Sequence, residues 1–210
     1  MARESSGGRA VYLGASNGDD PAAFEIFDQA VAAAGYADRS AMRSGDGAEG
    51  FAGADLILLA GGDPLLGWRA FEANGWVDAL RSRWQRGSLL VGVSAGAVQL
   101  GLGVRPDADR AVSMLALAPY WIGAHEEAAG WAEVIATQRA DPRCRPALAL
   151  PFGAAARVSA NGQFEVLSKK VAEVRWFSDG PTFRWKRPVE GQRELVIRDD
   201  KKSFEEIDHG

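Results

Sequence analysis

Short runs of contiguous apolar residues alternate along the chain with longer stretches whose apolar positions recur every three or four residues. Residues 10–13 form the first run, which stops at Gly14-Ala15-Ser16-Asn17-Gly18. Asp20 then Pro21 reads as a helix start, an N-cap followed by proline at the first helical position. Phe24, Phe27, Ala30, Val31 and Ala34 follow on one face, and Gly35 suits the end of that helix. A second run, 55–60, holds Leu56, Ile57, Leu58 and Leu59 side by side, which predicts a strand buried on both faces. It ends at Gly61-Gly62-Asp63-Pro64, and helical spacing continues to about Gln85. A third run, 89–93, ends at Ser94-Ala95-Gly96-Ala97. Strand, glycine-rich turn and helix in repetition predict an α/β fold with a mostly parallel central sheet and helices on both faces. In such sheets reactive groups gather at the carboxyl ends of the strands, where Gly61, Gly62 and Ser94 all fall.

The last third reads differently. Residues 154–159 and 164–168 flank Asn161-Gly162, a hairpin signal, and 171–177 and 194–197 also read as strands. An antiparallel C-terminal hairpin region, attached to the same sheet, is expected. At 210 residues the chain is expected to be one domain, 1–210, with loose tails at 1–8 and 199–210.

Composition narrows the function classes. With 47% hydrophobic and 25% charged residues, the chain can build a core, which excludes wholesale disorder. No apolar run reaches the length of a membrane helix, so no membrane partner is expected. Residues 1–8 lack the apolar stretch of a secretory signal, which leads to the expectation of a cytoplasmic protein. A formal charge of −4 gives no reason to expect nucleic-acid binding. One cysteine, Cys144, and two histidines, His125 and His209, argue against a disulfide framework and against a Cys- or His-based metal site. Trp68, Trp76 and Trp84 recur every eight residues and read as packing rather than a ligand shelf.

The sharpest chemical feature is Gly92-Val93-Ser94-Ala95-Gly96, a G-x-S-x-G nucleophile elbow between a buried strand and a helix. So tight a turn demands small neighbours, and Gly92, Ala95, Gly96 and Ala97 supply them. The N–H after the serine then points where an oxyanion would develop. A plain serine N-cap is the bland alternative. Gly61-Gly62-Asp63 ends the neighbouring strand and could offer the second donor. His125 is the candidate base, with His209 lying in the polar tail. The loop at Asn17 lies on the same edge of the sheet and could line the site; turn and cap chemistry explains it equally well.

These segments resemble the serine peptidase family of dipeptidase E and cyanophycinase. Leu59-Ala60-Gly61-Gly62-Asp63 is similar to the family's Gly-Gly-Asp/Asn turn, and Val91 through Ala97 to its G-x-S-A-G-A elbow. Leu117-Ala118-Pro119 and then Ala124-His125 resemble the approach to its histidine. Leu150-Pro151-Phe152-Gly153 onward through Asn161-Gly162 resembles its late strand and hairpin. The likeness spans roughly residues 10–175. It implies a fold like the class I glutamine amidotransferases and a serine hydrolase acting on a small peptide or amide substrate, with no metal or cofactor. It further implies Ser94 as nucleophile, His125 as general base, and the Gly62 and Ala95 N–H groups as the oxyanion hole.

The third triad member is where the chain departs from the family. Dipeptidase-like members place an aspartate between serine and histidine. Here Asp107 and Asp109 both occupy that interval, with Asp109 at the better spacing. Cyanophycinase-like members use a later glutamate, and Phe152 stands at the matching position. Glu126 and Glu127 adjoin His125; Glu126 is a further alternative acid, though charge at a helix start accounts for both. The arginines that follow the histidine in cyanophycinase-like members are absent, which argues against cyanophycin. Asp63, Asn17 and Glu127 are the substrate-binding candidates, acidic groups suiting a cationic substrate or free amino terminus. Two other readings stand beside the peptidase. An α/β-hydrolase esterase would use Ser94, Asp199 and His209. A catalytically impaired member would serve as a binding or regulatory module. A homodimer is compatible with the chain, with no residue that demands it.

Overall fold

A computed structural model of the chain describes residues 7–107, 110–178 and 180–188. It begins with β1 (Arg9–Leu13), α1 (Pro21–Ala33), β2 (Asp38–Met42), β3 (Leu56–Leu59), α2 (Pro64–Ala73), α3 (Trp76–Gln85), β4 (Leu89–Gly92) and α4 (Ala95–Leu100). The short pair β5 (Gly103–Val104) and β6 (Val112–Ser113) follows, then β7 (Trp121–Ala124), α5 (Ala132–Arg139) and β8 (Ala147–Leu150). The chain continues through β9 (Ala155–Val158), β10 (Phe164–Ser168), β11 (Val171–Phe177) and β12 (Gly180–Lys186).

The first half is an all-parallel sheet in the order β2-β1-β3-β4. Successive side chains of β1 point to opposite faces, and both faces are covered. Val11 and Leu13 join Ile57, Leu59, Trp68, Phe71, Trp76 and Leu80 beneath α2 and α3. Ala10 and Tyr12 join Phe27 and Val31 of α1 on the other side. This is why 10–13 and 55–60 read as continuous apolar runs. Two of the three tryptophans spaced by eight, Trp68 and Trp76, are buried core. Asp20 caps α1 as its sequence predicts, its carboxylate accepting from Ala22 N.

β4 differs from its expected double burial. It pairs only with β3, so Leu89 is exposed and the rest of the strand half-buried. β2 carries no apolar run, and nothing in its residues announces an edge strand.

The second half is a four-stranded sheet in the order β12-β11-β8-β7. β7 and β8 are parallel, while β11 runs antiparallel to both β8 and β12. α5 covers one face through Trp131 and Val134. The expected hairpin forms, as β9 and β10, but it pairs only with itself. It lies over the other face of the sheet, placing Phe164 and Val166 against Leu148 and Val171. Burying an apolar face satisfies this ribbon better than extending the hydrogen-bond ladder. α4 packs on β3, β4 and β7 and so joins the two halves. The expected strand 194–197 and both loose tails fall wholly or mainly outside the described residues. Among the described residues, no helix is long and apolar enough to cross a membrane, and no cluster of His, Cys, Asp and Glu could hold a metal ion.

Candidate active site

The turn between β4 and α4 is tight because of what its glycines touch. A Cβ on Gly92 would lie 2.5 Å from Ala97 N, and one on Gly96 would collide with the Leu59 carbonyl. Ser94, the residue at the apex, has φ 51° and ψ −109°. That backbone costs a non-glycine residue of order 1–3 kcal/mol. It persists because Val93 N–H still donates to Leu59 O (3.0 Å) and Gly96 N–H to Val93 O (2.9 Å).

His125 directly follows β7. Its N–H donates to Leu150 O at the end of β8 (2.8 Å), and its φ is 47°. Both members of the pair therefore sit in left-handed backbone at carboxyl strand ends. Ser94 Oγ and His125 Nε2 are 2.7 Å apart, the arrangement a nucleophile and its general base require. Their separation of 31 positions in the chain is closed by α4's bridge between the two halves.

The two candidate oxyanion donors flank this pair. Ala95 N–H opens α4, and helix-opening N–H groups have no intrahelical partner. Gly62 has φ 130°, and a Cβ there would strike the Ser16 carbonyl, which already accepts from Asp63 N–H at 2.8 Å. Among the described residues, neither N–H is used by a turn, loop or cap hydrogen bond. A Cβ on Gly61 would lie 3.5 Å from the Ser94 Cβ, so the two turns touch.

The remaining candidates divide by what they hold. Asp63 caps α2, accepting from Leu65 N (2.8 Å) and Leu66 N (3.1 Å). Asn17 donates to the Tyr12 hydroxyl and accepts from Asp20 N–H. Glu126 accepts from Val134 N–H (3.2 Å) across the start of α5. Burial pushes its carboxyl above the usual range, with that N–H opposing. Glu127 accepts from Phe152 N–H (2.8 Å), and this bond holds its carboxyl below the usual range. Among the described residues no carboxylate hydrogen-bonds the His125 ring. Asp107 is exposed and lies in the wall of a cavity of about 950 Å3 with Glu126, Pro64, Val98 and Trp176. Ser94 and His125 are not part of that wall. Asp109, Asp199 and His209 lie outside the described residues.

Gln99 carries no motif, yet it holds the site together. Fully buried, it donates through Nε2 to Ser16 Oγ (2.9 Å) and Pro64 O (3.0 Å), tying α4 to the turns after β1 and β3. Its one sequence signal is a polar residue within the apolar helix Ala95–Leu100. Lys169, whose Nζ donates to Phe152 O (3.0 Å), carries no such signal.

A strand-end serine in a forced turn, paired with a histidine and flanked by free N–H groups, defines a serine hydrolase-type site. The comparisons with known proteins agree. The model of Peptidase family S51 matches residues 39–115, which include the Gly61-Gly62 turn and the Ser94 elbow. The fold is similar to that of a peptidase from an acI-B1 Actinobacterium, with TM-score 0.62 and 17% identity over 84% of this chain and 83% of that one. It is also similar to a candidate peptidase E protein from Listeria monocytogenes EGD-e, with TM-score 0.54 and 16% identity over 89% of each chain. A glutamine amidotransferase aligns at TM-score 0.45 with 18% identity, over 88% of this chain and 77% of that one. The search of curated proteins gave no match. The family match over residues 39–115 and the fold shared with two peptidases bear out the resemblance to the dipeptidase E and cyanophycinase peptidases and support a hydrolase.

Proposed function

We propose that the protein cleaves a peptide or amide bond in a small peptide-like substrate through an acyl-enzyme on Ser94, in the manner of dipeptidase E. The observation that carries this is the 2.7 Å contact between Ser94 Oγ and His125 Nε2 at a strained strand-turn-helix apex. Ser94 Oγ attacks the carbonyl carbon and its proton passes to His125 Nε2. The oxyanion lies against Gly62 N–H and Ala95 N–H. The C–N bond then breaks as His125 returns the proton to the leaving amine. Water, deprotonated by His125, adds to the acyl carbon; the Ser94 C–O bond breaks and the proton returns to Oγ. No metal or cofactor enters any step.

Asp109 remains the proposed orienting acid, with Asp107 next, on the sequence argument alone. One observation favours a second reading, a binding or regulatory module: no described carboxylate reaches His125. Loss of the orienting acid lowers kcat by about 10^4 in a comparable triad yet leaves catalysis well above water, so the hydrolase reading comes first.

Intact-mass labelling with a fluorophosphonate tests it. One adduct on the wild type, absent from Ser94→Ala and His125→Ala, is expected. No adduct on the folded wild type with probes of several sizes refutes the hydrolase reading in favour of the binding module.

A further inference from the structure

Phe152 is an unusual residue. Its side chain is 76% exposed, the most exposed large apolar side chain among the described residues. Its backbone is nevertheless held on both sides. The N–H donates to Glu127 Oε1 (2.8 Å) and the carbonyl accepts from Lys169 Nζ (3.0 Å). The next carbonyl, of Gly153, accepts from Ser168 Oγ (2.8 Å). Two charged side chains thus fix the backbone that carries a phenyl ring burying little. A ring so exposed is of no use to the core, and such exposed apolar groups mark binding sites when they collect.

Two others lie beyond the ends of neighbouring strands. Val93, 50% exposed, immediately precedes the nucleophile, and Leu66, 49% exposed, lies in the first turn of α2 just after Gly62. Three of the eight large exposed apolar side chains among the described residues thus come from the turns after β4 and β8 and from the start of the helix that follows β3. Those turns share the edge of the fold that carries Ser94 and His125.

Direction follows from the chemistry. The candidate oxyanion donors follow β3 and β4, whereas His125 follows β7 and is bonded to the end of β8. His125 must reach the departing nitrogen to protonate it. The leaving residue therefore lies on the β7–β8 side, where Phe152 follows Leu150 by two positions. We propose that Phe152 is a specificity-determining residue that receives an apolar side chain on the leaving residue of a short peptide, with Glu127 and Lys169 as its positioning residues. This rests on the peptidase reading of the Ser94–His125 pair.

The test uses the full chain and dipeptides carrying each amino-terminal residue in turn before Leu, Phe or Gly. The wild type is expected to prefer Leu and Phe over Gly by about tenfold or more in kcat/KM, the scale of a modest apolar contact. Phe152→Ala, at an exposed position and checked by thermal melting, is expected to bring that ratio below about threefold. Phe152→Leu keeps it, and Glu127→Ala lowers it through the lost bond to Phe152 N–H. An unchanged ratio in Phe152→Ala overturns the inference, as does a wild-type preference for Gly. If the wild type cleaves none of these dipeptides while Ser94 still labels, the inference falls and the hydrolase reading stands. If Ser94 does not label, that reading falls and takes the inference with it.

Discussion

Replacing Asp141 by alanine is expected to destabilise the protein by about 3–5 kcal/mol, and the structure shows where that figure comes from. Asp141 is buried and its two oxygens accept five hydrogen bonds. They come from Trp121 Nε1 (2.9 Å), Arg143 N (3.1 Å), and Arg145 N (3.2 Å), Nε (2.8 Å) and one terminal guanidinium nitrogen (3.2 Å). Summing them at the strength of charge-assisted bonds would overshoot, because the partly exposed Arg145 guanidinium regains water when its partner goes. The Trp121 indole does not: Trp121 is 2% exposed, so its N–H becomes an orphan at about 1–3 kcal/mol. The two backbone N–H groups of the 141–145 turn add the rest. At about 2–4 °C per kcal/mol for a chain of this size, the melting temperature should fall by about 6–20 °C.

The pH dependence provides a second check. Burial raises the Asp141 carboxyl, but the bonds from Arg145 and Trp121 outweigh it and hold the group well below the usual carboxylate range. A folded-state value below the unfolded one means the stabilisation is complete above pH ~4 and drains away as pH falls toward the folded value. The gap between wild type and Asp141→Ala, read by urea denaturation at pH 7, 5 and 3, should therefore narrow in acid. A gap under about 1 kcal/mol at pH 7, or one that stays constant down to pH 3, would refute the reasoning.

Gly62→Ala is expected to slow fluorophosphonate labelling of Ser94 by about 10^2–10^3-fold, the scale of a lost oxyanion donor. Gly61→Ala, whose Cβ meets Ser94 Cβ at an ordinary 3.5 Å, should keep the fold and serves as the control. Glu126→Gln retains an acceptor for Val134 N–H and removes a carboxyl whose folded value is raised by burial. Such a group weakens the fold as pH rises through its unfolded value, so the variant should gain on the wild type between pH 4 and pH 7 in denaturant titrations; a constant difference counts against this. Gln99→Ala should cost about 2–4 kcal/mol by opening a cavity and leaving Ser16 and Pro64 without their shared donor; calorimetry reads it, and a loss within 0.5 kcal/mol would contradict the bracing role.

The elbow was legible in the residues because it is local. Glycine and alanine at 92, 95, 96 and 97 are demanded by contacts within one turn and with the adjoining strand, so composition alone reports them. The parallel layering was legible for a similar reason: a strand buried on both faces must be apolar at consecutive positions, as 56–59 are. The N-cap at Asp20 is likewise a contact over two residues.

What lies between distant segments was not legible. The approach of His125 to Ser94 depends on β7 lying beside α4, a matter of how two sheets meet; the choice between two histidines and the resemblance to a peptidase family pointed to the pairing, and no spacing rule did. The hairpin was readable from Asn161-Gly162, but its choice to cover a sheet face was not, since that depends on the apolar surface that Leu148 and Val171 present from distant strands. The five bonds on Asp141, the Gln99 brace and the clamp on Phe152 join residues whose types carry no periodic or positional signature. The sequence by itself determined the local geometry of the nucleophile and the class of fold, because both follow from short-range sterics and burial. Only the tertiary structure decided which side chains meet across the two halves, because those contacts depend on how separate surfaces pack.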